Sequence, residues 1–427
     1  MSDVIQIFEH APLKVGGRFT SAHFDRLVQY NERHGNKFFN VGHNRLHFKN
    51  YVGVIQVGNL TIEILPKADR EPDSPAQKDK WQRALIEMLH QSGFLKLDSI
   101  SDAKLRLHAS SLLDIYFATF LDEVNRLVHH GLVRKYRQEQ GNLTALKGRI
   151  LFQQHLAKNL IHRERFFTEH TVYNRNNPFN QILRAALDVL ARVSTNPHLA
   201  AMARTYLLSF EDADAISVCE NTFARLHHTR NTERYHRALQ LAKLIILNYS
   251  PDVRSGREDV LAILFDMNTL FERYVFAHLR RYEASHPARA IKFKPQAHKT
   301  FWTTEQMRKS IRPDIVAEIG FGPTRERMIL DTKWKIPLNR RPADADLHQM
   351  HSYNVQFGAS RSYLIYPRVS DNRDITGAFA KTQQPADTLE HTCGMLFLEL
   401  FDGEKLRKDL GVSLINQLAS NVSQTEG

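Results

Sequence analysis

Cysteine is nearly missing from this chain: Cys219 and Cys393 are the only two among 427 residues, and neither has ligand-like neighbours in sequence. That scarcity excludes a disulfide framework and a cysteine-based zinc cluster, and it fits a reducing cytoplasm. Long apolar runs are lacking too, so no segment is expected to span a bilayer. The opening MSDVIQIFEHAPLKVGG has no basic stretch leading into an apolar core, which argues against a secretory leader. No G-x-x-x-x-G-K-[ST] loop occurs, and this excludes a P-loop nucleotide motor. The chain has 22 histidines, including His129-His130 and His227-His228, but no H-E-x-x-H grouping, so a histidine-only zinc site is the weaker reading. Acid is in deficit: 58 Lys and Arg stand against 46 Asp and Glu, a formal charge of +12. Such a balance creates a field that attracts polyanions, nucleic acid first among them, although acidic proteins and anionic lipids answer to the same field.

What is present reads as an ordinary globular protein, 42% hydrophobic and 24% charged, and too long for one core. Residues 1–75 read as a β-rich segment. In VIQVGNLTIEIL, apolar residues alternate on both sides of Gly58-Asn59, a pair suited to a two-residue hairpin turn. The Pro-, Asp- and Ser-rich stretch 68–80 reads as a loop. Residues 76–250 read as a helical region, with three- and four-residue apolar steps from Trp81 to Tyr249 and a helix start at Asn176-Asn177-Pro178. Residues 255–427 form a third unit. A helix over 267–282 is followed by the β-type runs IKFKP, PDIVAEI, RMILDTKW, SYLIYP and MLFLEL, with a helix between 343 and 357 and another near the end. The alternation predicts an α/β unit within a chain that is α+β overall.

The chemistry concentrates in IRPDIVAEIGFGPTRERMILDTKWK, residues 311–335. Two strands flank a Gly322-Pro323 turn, and each carries an acid. Asp331 and Lys333 are two apart, so strand geometry puts both on one face. If the strands pair as a hairpin, Asp314, Asp331 and Lys333 converge. Two carboxylates and an ammonium suit phosphodiester hydrolysis: hard oxygens hold Mg²⁺, and lysine positions water and offsets charge on the phosphate. A lone Asp-x-Lys is also what a strand end with a surface ion pair looks like. Two apolar strands bearing the acids strengthen the chemical reading, because buried carboxylates are costly unless paired or metal-bound. In the helix MNTLFERYVFAHL, Glu272 lies beside Phe271, Tyr274 and Val275, where it could touch metal or remain solvated. In LHQMHSY, Gln349 and Tyr353 share a helical face from which they could reach a phosphate or steady the lysine.

PD, then DTK, then QxxxY resembles the PD-(D/E)xK nuclease superfamily, and the chain is more closely similar to the McrC family. FDMNTLFERYV, RPDIVAEI, ILDTKWK, DLHQMHSYN and LIYP carry that resemblance in order, as do HHGLVRKYRQEQGNLTALKGRI and YNRNNPFNQILRAAL earlier; residues 1–50 match weakly. The resemblance implies a restriction-endonuclease-like domain with a small mixed sheet flanked by helices. Asp314, Asp331 and Lys333 would be catalytic, with Glu272, Gln349 and Tyr353 accessory, and Asp314, Asp331 and Glu272 would ligate Mg²⁺ or Mn²⁺. It further implies a modification-dependent (5-methylcytosine-type) restriction system acting on double-stranded DNA. In that system a separate McrB-like AAA+ ring binds and hydrolyses GTP, recognises modified cytosine and is stimulated by this subunit through the region ahead of the nuclease. Alternatives are a stand-alone RecB-like exonuclease, a non-catalytic activator of the ring and a plain DNA-binding adaptor.

Basic residues surround the acidic pair: Lys309, Arg312, Lys335, Arg340 and Arg341, with Trp302 and Trp334 interleaved. Such a rim is expected to hold a DNA backbone by counterion release, and His348 and His351 are expected to reach phosphate from beside the site.

Overall fold

A computed structural model describes residues 3–69, 71–95, 111–251, 259–321, 324–337, 341–369, 372–380 and 390–425. Strand β1 (Asp3–Phe8) leads into β2 (Pro12–Lys14), helix α1 (Ser21–Arg33), β3 (Phe39–Gly42) and β4 (Arg45–Phe48). The sequence reading had only strands here. Yet Thr20 caps α1 by accepting from the His23 amide, and Leu27 and Tyr30 face a core shared with Phe19, Phe39 and Leu46. Gly58-Asn59 then reverses the chain as expected, with β5 (Tyr51–Val57) antiparallel to β6 (Leu60–Leu65) and Val57 opposite Leu60.

Helix α2 (Pro75–Gln91) begins inside the stretch read as a loop, because Ser74 caps it and Pro75 suits its first turn. Helix α3 (Leu112–His129) follows. The helical pattern read over 81–249 is then interrupted by β7 (Lys135–Leu143), β8 (Arg149–Ile150), the short α4 (Phe152–Asn159) and β9 (Phe166–Asn174), in the sheet order β7-β9-β8. KYRQEQGNL is polar on both faces, so it carries no alternating apolar signal. This arm leaves Tyr136, Phe152, Leu160, Ile161 and Tyr173 exposed. Helices α5 (Pro178–Val193), capped by Asn177 as expected, α6 (Pro197–Leu207) and α7 (His236–Leu247) complete the region.

β10 (Tyr249–Ser250) and β11 (Val260–Asp266) return to the first sheet, whose order is β1-β6-β5-β11-β10. Residues 260–266 therefore share the N-terminal sheet. Gly53 permits the close approach, since a Cβ there would lie 2.2 Å from the Ile263 carbonyl oxygen.

The chain leaves that sheet through α8 (Met267–Ser285) and builds a six-stranded mixed sheet. Its strands are β12 (Ile291–Pro295), β15 (Ile315–Phe321), β16 (Thr324–Thr332), β17 (Arg361–Pro367), β18 (Ile375–Ala378) and β19 (Thr392–Leu398), in the order β12-β15-β16-β17-β19-β18. Between β12 and β15, β13 (Lys299–Thr303) and β14 (Arg308–Ile311) form a separate ribbon. Strands β16, β17 and β19 run parallel. Helix α9 (Asp344–Phe357) joins β16 to β17, and α10 (Leu410–Thr425) follows the sheet. Side chains alternate across the sheet. Ile315, Met328, Leu330, Tyr363 and Leu396 join the core that holds α8, whereas Val316, Ile329, Leu364 and Phe397 pack with Met350 and Tyr353 of α9. The Gly322-Pro323 turn lies outside the described residues.

Candidate active site

Register brings the acids together. Ile315 stands opposite Leu330, so Asp314, just ahead of β15, and Asp331, just after Leu330, lie at the same end of the hairpin. Asp331, two residues after Ile329 in β16, lies on the sheet face that packs against α9. Asp331 is 3% exposed. Asp314 Oδ2 accepts from the Thr332 amide at 2.7 Å and from its hydroxyl at 2.8 Å, which fixes the carboxylate against the end of β16.

Lys333 follows on the same face. Its Nζ lies 2.6 Å from Asp331 Oδ2 and 3.4 Å from Asp346 Oδ1, and it donates to Gln349 Oε1 at 3.2 Å. Gln349 Nε2 donates to the Tyr353 hydroxyl at 2.8 Å, and that hydroxyl donates to the Arg312 carbonyl at 3.0 Å. The chain of contacts runs from the lysine along one face of α9 and back to the strand that carries Asp314. Glu272 joins from α8: Gln296 donates to its Oε1 at 2.8 Å, while the Gln296 amide donates to the Asp314 carbonyl at 2.8 Å.

The electrostatics are those of acids crowded together. Burial pushes Asp331 up to about 6, Asp314 adds to the rise, and Lys333 opposes it. Burial likewise pushes Glu272 up to about 7, again with Asp314 adding. Burial works against the Lys333 ammonium, but Asp331, Asp346 and Asp314 outweigh it and hold its pKa above the ordinary value. Lys333 is thus a fixed cation and not a proton acceptor near neutral pH. Lys333 is paired directly with Asp331 Oδ2, so the one cation beside this acid already sits on that oxygen.

These features fit a divalent cation. Acids crowded by a neighbouring carboxylate, as Asp331 and Glu272 are by Asp314, are relieved by added positive charge. Among the described residues no group of three or more His, Cys, Asp or Glu side chains forms a ready metal cage. Asp314 and Asp331 suffice for Mg²⁺, which takes one or two carboxylates and completes its shell with water and phosphate.

The structure thus joins Asp331, Lys333, Gln349 and Tyr353 directly, Asp314 through Thr332, and Glu272 through Gln296. Sequence reasoning missed Asp346, Thr332 and Gln296. Asp346 could have been found: it lies three residues before Gln349, on the same helical face. Thr332 and Gln296 act through contacts that no spacing encodes.

Two rim expectations are corrected. Trp334 is buried, not interleaved among surface cations: its indole donates to Glu9 Oε1 at 2.7 Å, and its ring meets Trp81 and Phe271 edge-on. It ties the first sheet to the segment that carries Lys333. His351 packs against Phe379 and His391, turned away from the lysine. Lys335 pairs with Asp346 Oδ2 at 2.6 Å and stays exposed on the rim. Lys309, Arg312 and Arg341 are exposed, as is His348, and Arg340 lies outside the described residues.

Comparisons with known proteins agree on a likeness. A profile of the family described as "McrBC 5-methylcytosine restriction system component" matches residues 46–367. The fold resembles a chain of a half-complex from a tetradecameric assembly of Thermococcus gammatolerans McrB AAA+ hexamers with bound McrC, with a TM-score of 0.67 at 20% identity over 97% of this chain and 99% of that one. It also resembles a chain of the Thermococcus gammatolerans McrBC complex, with a TM-score of 0.50 at 23% identity over 65% of this chain and 87% of that one. No curated protein matches the sequence.

Proposed function

The chain belongs to the family of McrBC 5-methylcytosine restriction system components, and from that premise we propose that it is the McrC-type nuclease subunit, hydrolysing phosphodiesters of double-stranded DNA. The observation that carries the reading is Asp314 and Asp331 at one end of the β15–β16 hairpin, Asp314 held on Thr332, next to a lysine held as a cation. Asp314 and Asp331 would hold Mg²⁺ or Mn²⁺, with Glu272 contributing from α8; the bound ion would supply Lewis acidity and a lowered water pKa.

The protein's own groups do the remaining work. Lys333, positioned by Asp331, Asp346 and Gln349, faces the place where charge develops on the scissile phosphate and offsets it. The Gln349–Tyr353 relay keeps the lysine from swinging to solvent. Thr332 holds Asp314 in position, so the carboxylate need not reorganise when substrate arrives.

The six-stranded unit is the nuclease part of this proposal, and the region ahead of it is the docking part. We assign it a McrB-like AAA+ ring as partner, on its likeness to a McrC bound to such hexamers and on the apolar side chains that the β7–β9 arm leaves in solvent. GTP would be bound and hydrolysed by that ring. No helix among the described residues is long and apolar enough to cross a membrane.

The test combines this chain, its AAA+ partner, GTP, Mg²⁺ and 5-methylcytosine-containing duplex. Wild type should cut, and Asp331→Ala should bind partner and raise GTP hydrolysis without cutting. Cleavage by Asp331→Ala at the wild-type rate would remove the assigned centre. Wild-type cutting from ends without the partner would favour a stand-alone exonuclease instead.

A further inference from the structure

Among the described residues the β13–β14 ribbon pairs with no other strand, and it carries two exposed aromatics, Phe301 and Trp302. All five β13 residues and Arg308, Lys309 and Ser310 of β14 are exposed. Phe301 is 54%, Trp302 48% and Met307 57% exposed, although burying such groups is ordinarily favourable. The ribbon is nevertheless ordered at both ends. At its base Lys299 Nζ donates to the Gln356 carbonyl at 2.7 Å and lies over the Phe357 ring. At its tip the Thr304 amide donates to the Met307 carbonyl at 2.7 Å, and the Met307 amide to the Thr304 hydroxyl at 3.0 Å.

Charge on the ribbon is one-sided. Lys299, Arg308, Lys309 and Arg312 stand against Glu305, and neither Arg308 nor Lys309 forms an ion pair among the described residues. From Lys309 the chain runs through Ile311, Arg312 and Pro313 directly into Asp314. A two-stranded ribbon has the cross-section that a DNA groove admits, and apolar tips beside cations are what proteins press against base steps.

Resting on the nuclease reading above, we propose that the β13–β14 ribbon enters a groove of duplex DNA beside the scissile phosphate, Arg308 and Lys309 holding the backbone and Trp302 and Met307 lying against the bases. Because β14 continues into the acid-bearing strand, groove contact and placement of the phosphate at Asp314 are one event. Trp302 sets which phosphate is presented, and the two cations set how tightly it is held.

The sequence provides its own reporter. Of three tryptophans, Trp81 and Trp334 are buried, so solvent-accessible indole emission belongs to Trp302. Titration of the full chain with a short duplex, in Ca²⁺ to prevent cutting, should shift that emission and protect it from acrylamide. Trp302→Ala should abolish the signal and weaken affinity, read separately by the anisotropy of a labelled duplex, by about tenfold, the scale of one lost base–aromatic contact. Arg308→Ala with Lys309→Ala should lower the salt slope of binding by about two, one per phosphate contact. All three residues are exposed, so unchanged melting curves are expected. Unshifted emission at saturating duplex, or unchanged affinity and salt slope in the variants, overturns the ribbon's role. If the variants instead bind duplex normally but no longer associate with the AAA+ partner, the ribbon is a protein contact and the proposal fails. The nuclease reading stands or falls separately, on whether Asp331→Ala cuts.

Discussion

Glu63 in TIEIL and Asp331 in MILDT are both strand acids, and both are buried. Their surroundings differ in a way that separates structure from chemistry. Glu63 Oε1 accepts from the Leu112 amide at 2.6 Å, and its Oε2 from Gln6 at 3.0 Å and Gln82 at 2.7 Å. Burial raises its pKa, and three donors work against that rise. Glu63 thus fastens β1, α2 and α3 to the first sheet with both oxygens satisfied. Asp331 has one lysine and two further carboxylates around it. A buried acid whose oxygens are taken by neutral donors is a fastener, whereas one crowded by other carboxylates around a single lysine is poised to take a further cation.

The largest expected effect separates the two. Asp331→Asn should lower cleavage by roughly 10²–10³-fold or more, as loss of one charge-organising group does at other reacting centres. Melting should be unchanged or higher, since repulsion with Asp314 and Asp346 is removed while Lys333 keeps Asp346. Glu63→Ala should do the reverse. Leaving buried donors unpaired costs about 3 kcal/mol in denaturant unfolding, while cleavage per folded molecule stays at the wild-type level. Normal stability in the Glu63 variant would break the comparison.

Glu9 lies between the extremes: its Oε1 accepts from Trp334 and from the Lys67 amide, its Oε2 has no hydrogen bond, and burial pushes it up to about 7 from 4.5. Between those values the folded state holds a proton that the unfolded chain has released, so stability should fall as pH rises from about 4.5 to 7 and then level off. Glu9→Gln should remove that part of the slope in unfolding midpoints measured from pH 4 to 8; an unchanged slope would mean that Glu9 titrates normally. The smallest effect is reserved for Trp334→Phe, which keeps the ring and removes one donor. A loss of about 1 kcal/mol is expected, with cleavage reduced less than in any variant of the acidic pair.

The sequence reading reached the second of these sites and not the first for a physical reason. Asp314, Asp331 and Lys333 are placed by strand period and hairpin register, both local, and Gln349 and Tyr353 by helical period. The donors to Glu63 come from three elements far apart in sequence, so TIEIL alone could not reveal a satisfied acid. The same limit explains Trp334, whose partner Glu9 lies at the other end of the chain and which looked like a surface aromatic among lysines. Helix α1 left a capping signal at Thr20 that went unread among strands, whereas β7 left no apolar signal to read.

Divalent-ion binding to the intact chain is the most direct test of the central claim. Calorimetric titration with Mn²⁺ should give one site in wild type, weakening as pH falls below about 7 because Asp331 and Glu272 take up protons that compete with the ion. Asp331→Asn should abolish that site and Glu63→Gln should leave it intact. Equal Mn²⁺ binding by wild type and Asp331→Asn would contradict the account.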